Sequence, residues 1–176
     1  LPVVTGSVAI TVVWKWILHP YYGLLNQVAG TGTFDWLGNQ HTAIWFIILI
    51  LFTTSIGQPI VLYVAALGNV DQSLVEAAQV DGATKLQVFW KIKWPQIMPT
   101  TLYVLVITTI NSFQCFALIQ LLTKGGPLNS TMTIMYQVYD TAYRLNDLGY
   151  ANAIGVVLAI IIAIFSAVQF KLAKTE

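Results

Sequence analysis

The chain has 176 residues, of which 57% are hydrophobic and 9% charged, with a net charge of +1 at neutral pH. Ordinary soluble domains carry roughly 25% charged residues, so the composition indicates an integral membrane chain surrounded by lipid. The net charge says nothing about nucleic acid, and no basic run supports it as a partner, so none is expected; one cysteine, Cys115, excludes an internal disulfide.

A helix needs about 20 mostly apolar residues to cross the hydrocarbon core. Residues 1–18 nearly meet that length, interrupted by Lys15 between Trp14 and Trp16, which suits a helix end at the interface. The chain opens on Leu1 with no methionine and no charged leader, so this span is expected to be N-terminally truncated, in a piece of a longer protein. His19, Pro20, Gly23, Asn26, Gly30 and Gly32 mark a loop over 19–41. His41 is expected at the interface rather than on a metal, because no second histidine or carboxylate stands at ligand spacing.

The next span is predicted over 42–67, with Thr53, Thr54, Ser55, Gly57, Gln58 and Pro59 near its middle. Pro59 withholds one helical hydrogen bond, which predicts a kink there.

Residues 73–95 are the longest polar interruption between spans, and their pattern predicts an ordered elbow. Ser73 followed by Glu76 has capping-box spacing. Gly82 tolerates the left-handed conformation that ends a helix. From Ala83 a helical pattern resumes, with Leu86, Phe89 and Trp90 on one face, until Pro95 restarts the chain. A capped elbow between two spans is either a well-packed connector or a rigid body that another protein can push.

A further span is predicted over 96–122, and its second half is unusually polar. Thr108, Ser112, Cys115 and Ile119 follow helical spacing, so three small polar groups share a face that should avoid lipid. That face is either helix-to-helix glue or a substrate path. Lys124, Gly125, Gly126 and Pro127 then break the helix. Met132, Met135, Tyr136, Tyr139 and Tyr143 recur at helical spacing, which predicts an amphipathic segment along the membrane surface within a loop over 123–148. The last span covers 149–170.

These elements amount to an all-α polytopic membrane bundle of about four spans. The side holding the 68–95 loop and the C-terminus carries five cations, Lys85, Lys91, Lys93, Lys171 and Lys174, against Lys15, Lys124 and Arg144 on the other. The positive-inside rule therefore puts the elbow in the cytoplasm. No ionisable side chain stands near mid-span, which disfavours ion-driven transport. There is no phosphate-binding loop, zinc-protease motif or nucleophile elbow, so nucleotide hydrolysis, zinc proteolysis and serine nucleophilic catalysis lack support, and the chain is expected to carry no catalytic residues or cofactor of its own.

Glu76, Ala77, Ala78, then Gly82, Ile92 and Pro95 resemble, in type and spacing, the EAA signature of permease subunits in binding-protein-dependent ABC importers. Trp94 stands where leucine is usual, another bulky apolar residue. Trp14, residues 23–26, Gly57, Asp81-Gly82-Ala83, Leu122-Thr123-Lys124-Gly125-Gly126-Pro127 and Gly149-Tyr150-Ala151 resemble the maltose-type carbohydrate branch. The resemblance implies a multi-pass permease in a prokaryotic inner or plasma membrane, paired with a second permease subunit. Two cytoplasmic ATPase subunits would bind ATP and Mg, and an external solute-binding protein would deliver a sugar. Glu76, Ala77, Ala78, Asp81 and Gly82 would form the helix that docks on an ATPase. The sugar would be held by positions aligning with Thr108, Ser112 and Cys115 on the later span, and near Ser55, Gly57 and Gln58 on the earlier one.

Overall fold

The computed structural model describes residues 6–173, and all regular structure among them is helical. Three stretches are long and apolar enough to cross a membrane: Gln40–Gly68, Lys85–Leu122 and Leu148–Leu172. The expected first span is represented by helix α1 (Ser7–Ile17), which is 11 residues long. Residues 1–5 of that expectation, and Lys174 of the C-terminal pair, lie outside the described residues.

After α1 comes a short helix, α2 (Leu24–Ala29). Its Asn26 is buried and organises the surrounding loop. The side-chain amide donates to the carbonyls of Pro20 (2.9 Å) and Phe34 (2.8 Å) and accepts from Thr31 Oγ1 and Trp36 Nε1 at 2.7 Å each. Both donors and both lone pairs are satisfied, so loop 19–41 is folded around one side chain.

Helix α3 (Gln40–Ser55) starts at Asn39, whose side chain accepts from His41 N–H at 2.9 Å. Helix α4 (Gly57–Gly68) continues it after an interruption at Ile56. The expected kink thus falls where Pro59 leaves the carbonyl one turn earlier without its helical donor. The hydroxyls of Thr53 and Thr54 turn back to the Ile50 and Leu51 carbonyls at 2.8–3.0 Å just before it, a contact that bends helices.

The elbow comprises α5 (Gln72–Val80), α6 (Lys85–Val88) and a π-helical turn, Phe89–Lys93, leading without a break into α7 (Trp94–Phe113). Pro95 therefore does not restart the chain. The π turn, in which Trp94 N–H bonds the Phe89 carbonyl five residues back, widens the helix so that the proline ring fits in its first turn.

The expected span 96–122 is divided. Helix α8 (Ala117–Leu122) is separated from α7 at 114–116 and packs on α1, whereas α7 packs on α4 and on α10 (Leu148–Ala173). The carbonyl freed at Cys115 accepts from Thr133 Oγ1 at 2.8 Å, and the same hydroxyl caps α9 (Ile134–Tyr139) through Tyr136 N–H at 3.2 Å. Helix α9 and the π-helical turn that follows, Asp140–Arg144, lie along α10. The aromatic segment is therefore not a free surface helix. Tyr136, Asp140 and Thr141 are buried, because the periodicity that suggested a membrane-facing stripe serves a protein contact.

Two small cores result. One gathers Leu18, Ile47, Ile50, Cys115, Leu118, Ile119 and Tyr136, and the other lies beneath the elbow. Between them, α7 and α10 are held by Phe113 against Phe165 (5.5 Å between ring centres) and by Gln169 Nε2 donating to Thr109 Oγ1 at 2.8 Å.

Candidate functional site

The elbow is assembled from local bonds. Its first helix is capped by Asp71, two residues before the expected serine. Asp71 Oδ1 accepts from Ser73 N–H (2.9 Å) and from the Ser73 hydroxyl (2.7 Å). Ser73 thus donates to the cap instead of forming a box with Glu76, because a carboxylate at the true cap position competes well with a hydroxyl two residues inside. These two Ser73 contacts, led by the hydroxyl, hold the Asp71 carboxyl below its ordinary value of 3.8.

The capping box stands at Thr84 and Gln87. Gln87 Oε1 accepts from Thr84 N–H at 2.8 Å, and Thr84 Oγ1 accepts from Gln87 N–H at 3.4 Å. Between the two helices, Gly82 takes φ +80°. Ala83 N–H bonds the Ala78 carbonyl (2.9 Å) and Gly82 N–H bonds that of Gln79 (3.1 Å), the paired bonds of a Schellman end.

Beneath these caps, Val70, Val75, Val88 and Ile97 are buried, with Ala78, Ala83 and Trp94 packed against them. Gln96 Oε1 accepts from Asp71 N–H at 3.2 Å and ties the elbow's first residue to the start of α7. The expected docking residues thus divide by role. Ala78 faces the elbow's own core, Gly82 makes the turn, and Glu76, Ala77 and Asp81 are exposed. Val80 (87% exposed) and Leu86 (71%) stand free, and Trp90 is exposed along one side while its ring packs on Phe89 and Trp94 (5.3 and 5.4 Å between ring centres), so an apolar surface is presented away from the core. Beside it, Val75, Gln79, Lys85, Phe89 and Lys93 line a cavity of about 580 Å³.

The expected path residues are only partly gathered. Counting from the Asp71–Gln96 contact, α4 and α7 run antiparallel, and at about 1.5 Å per residue Gly57 lies level with the Thr108 turn. Ser55, Gln58 and Ser112 are exposed, and Thr108 is half-buried. Thr108 donates to the Val104 carbonyl (2.7 Å) and Ser112 to that of Thr108 (2.8 Å), so these hydroxyls bond their own helix and glue no other described helix. The inter-helix bond uses Thr109 instead, and its partner Gln169 is a polar residue in an apolar run that could have signalled it. Cys115 does not join the face. It is buried beside Ile50 and Ile119, because the chain turns at 114–116 and ends the helical register.

Residues 1–175 match the sequence pattern of the binding-protein-dependent transport system inner membrane component family. The chain belongs to that family.

Among its members, the multiple sugar-binding transport system permease protein of Streptococcus mutans is 33% identical over 177 residues, covering 98% of this chain and 60% of that one. An sn-glycerol-3-phosphate transport system permease protein of Salmonella typhimurium is 29% identical over 179 residues, covering all of this chain and 61% of its own. The chain therefore spans about three-fifths of these relatives' length. The fold is also that of solved importers. A chain of the bacterial alginate ABC transporter, in complex with a periplasmic protein bound to an alginate pentasaccharide, superposes with a TM-score of 0.84 at 24% identity, covering 96% of this chain and 60% of that one. Within this inner-membrane component, the elbow is the most completely built of the expected sites.

Proposed function

We propose that this inner-membrane component couples ATP hydrolysis by separate cytoplasmic ATPase subunits to sugar import, with the elbow as the coupling element. The observation that carries the reading is the elbow itself. It is a doubly capped, separately packed unit that exposes Val80, Leu86 and Trp90 and is joined to both flanking helices. Coupling between distant sites needs a stiff element that both sites bias. In this reading ATP and Mg are bound by the partner ATPase subunits, whose phosphate-binding loops would hold them. The elbow and C-terminus face the cytoplasm in this reading, supported by the excess of lysines on that side.

The path is shared with a second permease subunit, which covers Ser55, Gln58 and Ser112, and an external binding protein delivers the solute. The Streptococcus mutans relative is named for multiple sugars. Hydroxyl, amide and backbone groups without charge suit a neutral saccharide better than the glycerol phosphate named for the Salmonella relative. In vesicles carrying the assembled importer, Ala78→Arg is expected to abolish sugar uptake while ATP hydrolysis persists, because it puts a charge against the elbow core. Unchanged uptake would sink the coupling role. Ser112→Leu should block passage with ATPase docking intact. Labelling of Lys91 or Lys93 from outside intact cells would invert the topology.

A further inference from the structure

The cavity beside the elbow's exposed apolar surface has two walls. Val75 and Gln79 of α5 stand on one side, and Lys85, Val88, Phe89 and Lys93, from α6 and the π-helical turn, stand on the other. None of the five residues expected to dock on an ATPase lines it. Among the described residues no carboxylate lines it either, although two of its side chains are cations. Lys85 and Lys93 make no ion pair or hydrogen bond among the described residues, and Lys93 is half-buried. An ammonium group drawn part-way out of water normally has acceptors at hand. The missing partner is therefore an anion.

The depth of the cavity says which anion. Asp71, three residues past the apolar stretch Gln40–Gly68, bonds Gln96 at 3.2 Å, so that stretch ends close to the start of α7. Lys93 stands three residues before Gln96, about 5 Å further along the helix axis. One polar headgroup layer is roughly 5–7 Å thick, so the cavity opens at headgroup depth. Phe89, Trp90 and Trp94 pack together on the same wall, with ring centres 5.3–6.3 Å apart. Aromatic rings beside lysines are the pairing found at membrane surfaces, and basic pockets on the cytoplasmic side of membrane helices hold anionic headgroups. A protein helix laid over the cavity would have to bring carboxylates to meet both lysines. A phospholipid brings its phosphate with it, and only a headgroup with net negative charge adds no cation beside the two already there.

We propose that this cavity binds the phosphate of an anionic phospholipid headgroup between Lys85 and Lys93, tethering the elbow to the membrane surface. The inference goes beyond the import reading and needs only that the elbow stand at that surface.

The test uses the complete complex, purified in detergent and titrated with dioleoyl phosphatidylglycerol or dioleoyl phosphatidylcholine, with bound lipid counted by native mass spectrometry. Each lysine near an anionic surface is worth about fivefold in association. Lys85→Gln with Lys93→Gln should therefore lose one phosphatidylglycerol per copy of this chain, its association weakened tenfold or more, with bound phosphatidylcholine unchanged. Lys85→Gln alone alters only an exposed side chain and should weaken that lipid about fivefold. Lys85→Arg with Lys93→Arg should retain it, as should Lys91→Gln, whose side chain lies off the cavity. The same phosphatidylglycerol count in the wild type and in the glutamine variants overturns the site, as does equal loss of both lipids. Displacement of the lipid by inorganic phosphate would reassign the cavity to a soluble anion and overturn the lipid. Retention is read without transport, so its failure leaves the import reading standing, and absence of sugar uptake leaves the lipid site standing.

Discussion

The elbow and a polar cleft beside α9 use the same parts in opposite ways. Each contains a short capped helix, a π-helical turn and a left-handed residue near a helix end. In the elbow the caps join residues no more than five apart, from Asp71–Ser73 to Thr84–Gln87 and Ala78–Ala83. Around the cleft the deciding bonds reach further, with Thr133 capping Cys115 from 18 residues away and Tyr136 buried in a core shared with α1 and α3. The left-handed positions differ too. Gly82 has open space about it, whereas Gly125, at φ +82°, has the Tyr136 ring 3.1 Å from where a Cβ would stand. An element that transmits force can be an autonomous unit, while one that shapes a cleft depends on its surroundings.

The largest test of that contrast is Gly82→Pro. Proline cannot adopt φ +80° and loses the N–H that bonds Gln79, so the elbow should come apart and uptake should fall more than tenfold, measured in vesicles. The subunit should still reach the membrane, because the spans do not rely on this turn. If the helical content of the spans fell as well, the elbow would not be autonomous.

Val88→Ala should destabilise the elbow by about 2 kcal/mol through lost burial and a residual cavity. Hydrogen exchange should localise the loss to 70–97 and leave α9 protected. Gly125→Ala should cost more than Gly82→Ala in thermal unfolding of the purified protein. Both lose about 1 kcal/mol to the left-handed backbone, but only Gly125→Ala must displace a buried ring. Equal losses would remove the distinction between the two turns.

Thr84→Ala should cost about 1 kcal/mol by removing the cap of α6, read as faster exchange at Gln87. The smallest effect concerns pH. The Asp71 carboxyl titrates below its ordinary value of 3.8 in the folded chain, so its contribution is complete above that value and is lost as pH falls through the lower, folded one. Amide protection in the first turn of α5 should therefore hold from neutral pH to about 4 and decline below. Asp71→Asn should remove that dependence while keeping a cap.

The elbow was legible in the chain because its rules are local. Gly82 announced its turn by residue type, and the run around it announced two helices. The error there was also local: Asp71 rather than Ser73 supplies the cap, and the true capping box at Thr84 and Gln87 carries the same kind of signal. The candidate path was less legible. Spacing places Thr108 and Ser112 on one face, but Cys115 leaves that face because the helix ends at Phe113, a break stabilised by a hydroxyl far along the chain.

By itself, the sequence determined the membrane character, the positions of the long apolar stretches and the elbow, since hydropathy, helical period and caps act over a few residues. Tertiary structure decided where α7 parts from α8, that Thr109 rather than Ser112 bonds a neighbouring helix, and that an apparent surface helix folds back on α10 to leave a polar cleft. Those outcomes depend on which freed carbonyl and which aromatic face find a partner. The partners lie too far along the chain for any local pattern to specify them.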